Sequence, residues 1–163
     1  MRKLKLYLDT SIISFVYADD SPEKRDITRE FLKDYIDQYD VYITRFVIAE
    51  IENTTEIALK EKLLKIINDY SINLLEIQSN EQGQIYELAN EYIKRKIIPI
   101  NKFDDAIHIA ICTTKEFDIL LSWNFRHIAN IKKQILINNV NKEQGYLKEL
   151  YFLNPMEVIT DDE

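Results

Sequence analysis

Leu4-Lys5-Leu6-Tyr7-Leu8-Asp9-Thr10-Ser11 opens the chain with a run that alternates apolar with charged or aromatic residues and stops at an acid followed by two hydroxyls. Such a run reads as a short strand delivered into a helix N-cap, which leaves a carboxylate at the strand's C-terminal end. Three more apolar runs read as strands: Val41-Tyr42-Ile43, Ile72 to Ile77, and Asp118-Ile119-Leu120-Leu121-Ser122. Amphipathic helices lie between them. From Glu23 to Tyr39 the residues Ile27, Phe31, Leu32, Tyr35, Ile36 and Tyr39 recur at three- and four-residue spacings behind Pro22, which predicts one helix. Thr44 can cap a helix carrying Val47, Ile48, Glu50 and Ile51, and Glu56 to Asp69 repeats the pattern. Ser79 and Asn80 precede a helix with Ile85, Leu88, Ala89, Tyr92 and Ile93 on one stripe, and Pro99 enforces a break after Lys94-Arg95-Lys96. A helix from near Phe103 to about Lys115 is apolar nearly all round and is expected to be buried. Beyond Trp123 the pattern predicts a helix over 128–136, a polar Asn-rich linker, and a last strand at Leu150-Tyr151-Phe152. Strands alternating with helices predict an α/β fold, with a mostly parallel central sheet of four to five strands and helices on both faces.

Composition narrows the class. A chain of 163 residues that is 46% hydrophobic, with only 2 Gly and 3 Pro, is expected to form one domain over 1–163 and excludes disordered, collagenous and β-solenoid readings. The single cysteine, Cys112, cannot close an internal disulfide or supply a cysteine-based zinc site, so a cytoplasmic, unstapled protein is expected. No apolar stretch is long enough for a membrane span, and the N-terminus meets Asp9 before a signal-peptide hydrophobic region develops. With 28 acids against 21 bases the net charge is −7, the wrong sign for holding nucleic acid by bulk electrostatics. Such a role needs bound cations, a partner, or a local patch, for which Lys94, Arg95, Lys96, Lys102 and Arg126 are the candidates; a solvated helix end is the plainer reading of the same lysines.

In open α/β sheets, sites form outside the carboxyl ends of the strands where the strand order reverses. Asp9 ends the first strand, Glu50 lies on the helix after the second, and Asp104-Asp105 open the buried helix that leads to the fourth. Each alone has a bland explanation, as an N-cap acid, a surface glutamate or first-turn acids favoured by the helix dipole. Brought together, the carboxylates repel and raise one another's pKa, so the cluster holds protons or a cation. Mg²⁺ or Mn²⁺ suits an all-oxygen donor set and activates water for attack on a phosphoryl group. His108, at i+3 and i+4 from these acids, reads as an imidazole hydrogen-bonded to one of them, and Trp123 and Cys112 read as packing.

The segments Tyr7-Leu8-Asp9-Thr10-Ser11-Ile12, Ile48-Ala49-Glu50-Ile51, Asp105-Ala106-Ile107-His108-Ile109-Ala110 and Leu121-Ser122-Trp123-Asn124-Phe125-Arg126-His127 together resemble the PIN-domain nucleases, and within them the VapC-like toxin group, over about residues 4–130. The resemblance implies a three-layer α/β/α sandwich and hydrolysis of RNA by a water activated at Mg²⁺ or Mn²⁺, leaving a 5′-phosphate and a 3′-hydroxyl. It implies that Asp9, Glu50 and Asp105 are the family's metal-binding acids, with Asp104 able to assist. Thr10 and Ser11 match small polar positions that would meet a metal-bound water or phosphate, and Asn124 matches the polar residue after the fourth strand. Many relatives carry a further acid in that last motif; with Asn124 and His127 here, one well-held ion is expected, and Arg126 and His127 become candidate phosphate contacts. An antitoxin partner and a homodimer are further implications, the helices between Glu23 and Asp69 offering apolar surface for the latter. The alternative is a PIN-like module that binds RNA or protein without turnover. A phosphatase using Asp9 as nucleophile fits less well, because the haloacid-dehalogenase pattern wants a second Asp where Ser11 stands.

Overall fold

Lys5–Leu8 is strand β1, and its Leu6, Tyr7 and Leu8 are fully buried because it lies at the middle of the sheet. The computed structural model describes residues 2–124 and 127–159, the side chains of 127–130 excepted. In chain order, β1 is followed by α1 (Thr10–Phe15), α2 (Pro22–Glu30), β2 (Asp40–Ile43), α3 (Arg45–Glu52), α4 (Ile57–Asp69), β3 (Asn73–Leu74) and α5 (Ser79–Lys94). Then come α6 (Phe103–Thr114), β4 (Ile119–Leu121), α7 (His127–Glu143), β5 (Tyr151–Leu153) and α8 (Pro155–Val158). The sheet is five-stranded and parallel throughout, in the order β3-β2-β1-β4-β5. Helices cover both faces, giving the three-layer sandwich: α1 packs on α2, α3 and α4, while α5 packs on α6 and α7. Covering both faces explains why Ile119-Leu120-Leu121 is apolar without alternation. Among the described residues, no helix is long and apolar enough to cross a membrane.

The register positions the site. Tyr7 pairs with Tyr42 and Leu8 with Leu121, so the next residue of each strand, Asp9, Thr44 and Ser122, falls in one row at the carboxyl edge. The chain leaves β1 toward β2 and β3 on one side and returns through β4 and β5 on the other, which makes the β1/β4 crevice the topological switch point.

Three elements differ from the sequence expectation. The helix expected over 23–39 is α-helical only to Glu30; Phe31–Tyr35 widens into a π turn and Ile36–Gln38 tightens into a 3₁₀ turn, with Phe31, Leu32 and Ile36 all buried. The strand expected over 72–77 pairs only at Asn73–Leu74 because its neighbour β2 ends at Ile43, whose carbonyl takes the Leu75 N–H at 2.8 Å before the chain turns into α3. The Asn-rich stretch expected as a linker continues α7 to Glu143. Asn138 and Asn141 are buried there, and each finds tertiary partners: Asn138 donates to the Leu150 carbonyl (3.0 Å) and accepts from its N–H (2.9 Å), while Asn141 donates to Thr113 Oγ1 (3.0 Å) and accepts from the Tyr92 hydroxyl. Gly145, at φ 95°, then lets the chain reverse, with the Tyr146 N–H returning to the Asn141 carbonyl.

Replacing Asn141 by Ala removes the acceptor of the buried Tyr92 hydroxyl, leaving it only the looser contact to Thr113 Oγ1 at 3.4 Å, and is expected to cost about 1–3 kcal/mol of stability in urea unfolding. Asn139→Ala, at an exposed position of the same helix, is expected to change stability by less than about 0.5 kcal/mol. Equal effects at both positions would refute this account of α7.

Candidate functional site at the carboxyl edge of β1 and β4

Asp9 is the N-cap of α1, placed by β1 at the switch point and almost wholly buried. Its Oδ1 accepts the Ser11 N–H at 3.0 Å and the Ser11 hydroxyl at 2.5 Å. Its Oδ2 accepts the Ser122 hydroxyl and, more loosely, Asn124 Nδ2 at 3.4 Å. The same two serines hold the loop after β4: Ser11 Oγ accepts the Trp123 N–H and Ser122 Oγ accepts the Asn124 N–H, each at 2.9 Å. Burial nonetheless pushes the Asp9 carboxyl up to about 6; the serine hydrogen bonds and His108 pull it down, and the charge of Asp105 adds to the rise. The next residue along the chain, Thr10, has a buried Oγ1 with no hydrogen-bond partner among the described residues.

Glu50 arrives from α3 and is half-buried. Its Oε1 lies 2.5 Å from His108 Nε2, and the other ring nitrogen, Nδ1, lies 2.7 Å from the Tyr7 hydroxyl, which is 2.9 Å from Thr44 Oγ1. Burial disfavours a charged imidazole, but the hydrogen bond to Glu50 and the charges of Glu50, Asp9 and Asp105 outweigh it, so the His108 pKa is raised. In the imidazolium form both ring N–H groups donate, Nε2 to Glu50 and Nδ1 to Tyr7, whose hydroxyl passes its own proton toward Thr44. His108 therefore does not bond a first-turn acid of its own helix; it reaches across to α3 and β1. Thr44, at the N-cap position of α3, turns its hydroxyl to Tyr7 and makes no side-chain cap.

Asp104 and Asp105, adjacent on α6, face different clefts because successive residues are about 100° apart around a helix. Asp105 is half-buried in a cleft of about 190 Å³ with Lys102, Asn124 and Lys133. Its pKa is raised by burial and by Glu50 and Asp104, against the opposing pull of His108 and Lys102, and its carboxylate accepts no hydrogen bond among the described residues. Asp104 is exposed at a separate cleft of about 170 Å³ shared with Glu50, His108, Asn53 and Phe46. Among the described residues no three His, Cys, Asp or Glu side chains stand close enough together to hold an ion. The donor chemistry still fits a hard divalent cation: the carboxyls of Asp9 and Asp105, each with its pKa raised in part by a neighbouring acid, and a buried hydroxyl without a partner among the described residues on the residue after Asp9.

The remaining expected residues divide. Arg95 is tied to Glu91 (3.1 Å) and Glu143 (2.5 Å), and Lys94 is 4.0 Å from Glu91, so that basic cluster braces α5 against α7, while Lys102 faces Asp105. Arg126 and the side chain of His127 lie outside the described residues. Trp123 donates Nε1 to Thr28 Oγ1 at 2.8 Å and packs on Phe15, and Cys112 is buried with its thiol pKa pushed up by burial. Sequence reasoning passed over Ser122, Tyr7 and the tertiary role of Thr44. For Ser122 a signal existed, a lone hydroxyl closing an otherwise apolar strand.

Compared with known families, residues 6–133 match the PIN domain. No curated protein matches the chain.

Proposed function

This chain belongs to the PIN domain family, whose members are generally nucleases, and from that footing we propose that it hydrolyses RNA phosphodiester bonds with Mg²⁺ or Mn²⁺. What supports the reading is that Asp9, at the switch point of the sheet, has its pKa raised in part by Asp105 from α6, whose own pKa is raised in part by Glu50 from α3, so that the three acids lie within electrostatic reach of one another. These three would hold the cation, Asp104 assisting from the Glu50 cleft. Bound there, a divalent ion supplies charge neutralisation at the phosphoryl group and a lowered pKa for a coordinated water.

The protein's own groups do the rest. Ser11 and Ser122 fix both oxygens of Asp9, so the carboxylate needs no reorientation when substrate arrives. Thr10 offers its unpartnered hydroxyl, and Asn124 its amide, to a phosphate oxygen or water. Lys102 draws the phosphate backbone toward Asp105, and Arg126 and His127 are proposed to extend that contact. The toxin half of a toxin–antitoxin pair, with a homodimeric assembly, is the biological setting we propose.

Titration of Mn²⁺ into the metal-free protein by calorimetry tests the site without a substrate. Saturable binding is expected, and Asp105→Asn is expected to weaken it by about ten-fold or more. One observation favours a second reading, an RNA-binding module without turnover: no three-ligand set is preassembled among the described residues. RNA that is shifted in a gel by the protein in Mn²⁺, yet never cut, would establish that reading over the first.

A further inference from the structure

A groove of about 540 Å³ lies apart from the acids of the site, between α3 and the chain entering α5, with Arg45, Phe46, Glu76, Ile77, Gln78 and Gln82 among its lining residues. It adjoins the acids all the same, since Phe46 and Ala49 also line the cleft that holds Glu50, Asp104 and His108. Phe46 begins a row of three aromatic rings. Tyr86, one turn after Gln82 on α5, meets it edge-on at 6.5 Å and is stacked on Phe103 at 6.3 Å with 13° between the planes. Phe103 directly precedes Asp104 and Phe46 is one turn before Glu50, so both ends of the row adjoin site acids. Two rings fix the orientation of Tyr86, yet 40% of it remains exposed. Arg45 is exposed and makes no ion pair or side-chain hydrogen bond among the described residues, whereas Arg2, Arg25 and Arg95 are all ion-paired.

We infer that Arg45, Phe46 and Tyr86 form a binding subsite for an unpaired base of single-stranded RNA and its adjoining phosphate, an inference that rests on the nuclease reading above. A strand whose reacting phosphate lies at the acids must continue over the neighbouring surface, and the α3 wall of the cleft leads it onto Phe46. Fixed aromatic rings stack any base, Arg45 meets the phosphate, and the amides of Gln78 and Gln82 offer donors and acceptors to base edges. A core-edge cluster would need neither the open groove nor the unpaired guanidinium.

The test measures affinity for a labelled eight-nucleotide single-stranded RNA in an Asp105→Asn background, which removes turnover, and Mn²⁺-dependent cleavage of the same RNA with Asp105 intact. Tyr86→Leu and Phe46→Leu are expected to weaken binding about ten-fold or more and to raise KM with little change in kcat, while Tyr86→Phe binds within about two-fold of its parent. Arg45→Gln, an exposed change that spares the fold, is expected to lower the salt dependence of binding by about one phosphate contact. The subsite is overturned if the Leu variants bind as the parent does, as they would if the groove served a peptide, or if Tyr86→Phe loses as much as Tyr86→Leu. An unchanged salt slope in Arg45→Gln overturns its phosphate role. If the unmodified chain cuts RNA and none of these variants alters cleavage, the subsite falls alone; if it neither binds nor cuts RNA, the nuclease reading falls with it.

Discussion

Asp9→Asn is expected to abolish RNA cleavage, by about a thousand-fold or more, while making the metal-free protein more stable at pH 8. Activity is lost because a neutral amide in place of the buried carboxylate removes an anionic oxygen from the centre of the donor set. Stability rises for the opposite reason. In the unfolded chain the Asp9 carboxyl ionises near 3.8, and in the folded chain burial moves this to about 6. Between those values the folded state binds the extra proton, so stability falls as pH climbs through the window. The penalty is absent below pH 3.8 and complete above 6, where a shift of that size corresponds to on the order of 3 kcal/mol at most. The amide avoids it. Its oxygen keeps both Ser11 bonds, and its NH₂ meets the Ser122 hydroxyl, which can turn to accept, while the Asn124 amide, a loose donor to that position at 3.4 Å, turns its oxygen inward. Urea unfolding in chelator at pH 4 and pH 8 reads the effect: the variant gains on the wild type at pH 8 and loses that gain at pH 4. A variant weaker than wild type at pH 8 would show that the serine bonds outweigh burial, and wild-type cleavage by it would remove Asp9 from the reaction.

His108→Ala carries the second large effect, because one side chain there connects three elements. Removing it opens a cavity in the packed face of α6 and deprives the Tyr7 hydroxyl of a partner at 2.7 Å, which together are expected to cost about 2–4 kcal/mol. It also releases Glu50, whose Oε1 the imidazole holds. Groups that orient a ligating carboxylate support metal affinity, so Mn²⁺ binding and cleavage are expected to fall about 10–100-fold. Tyr7→Phe separates the two roles. It keeps the ring that packs edge-on against Phe117 and removes only the hydroxyl joining His108 to Thr44. A stability loss of about 1–3 kcal/mol with a smaller loss of Mn²⁺ affinity is expected for it. If His108→Ala folds and binds Mn²⁺ as tightly as wild type, the imidazole does not position Glu50.

Much of this architecture was legible because its signals are local. An apolar strand ending in an acid, Leu6-Tyr7-Leu8-Asp9, declares both a buried parallel strand and a carboxylate at its carboxyl edge. The all-apolar helix after Asp104-Asp105 declares its own burial by the absence of a polar face. Two of the misread elements share one cause, a neighbour distant in the sequence. Asn138 and Asn141 look like linker residues until Leu150, Thr113 and Tyr92 supply the partners that make them helical core residues. The strand expected to Ile77 stops early only because its neighbour does.

The sequence by itself determined the strand–helix alternation, the burial of β1, β4 and α6, and the identity of the acids at the strand and helix ends, since periodicity and composition act within a few residues. Only the tertiary structure decided which cleft each acid faces, that Ser122 rather than solvent completes the hydrogen bonding of Asp9, and that His108 is joined to Glu50 and Tyr7 instead of its helix neighbours. Those pairings span 113, 58 and 101 residues. They are set by strand register and helix packing, which place side chains with no short-range relation within hydrogen-bond reach and remove the water that would otherwise satisfy them.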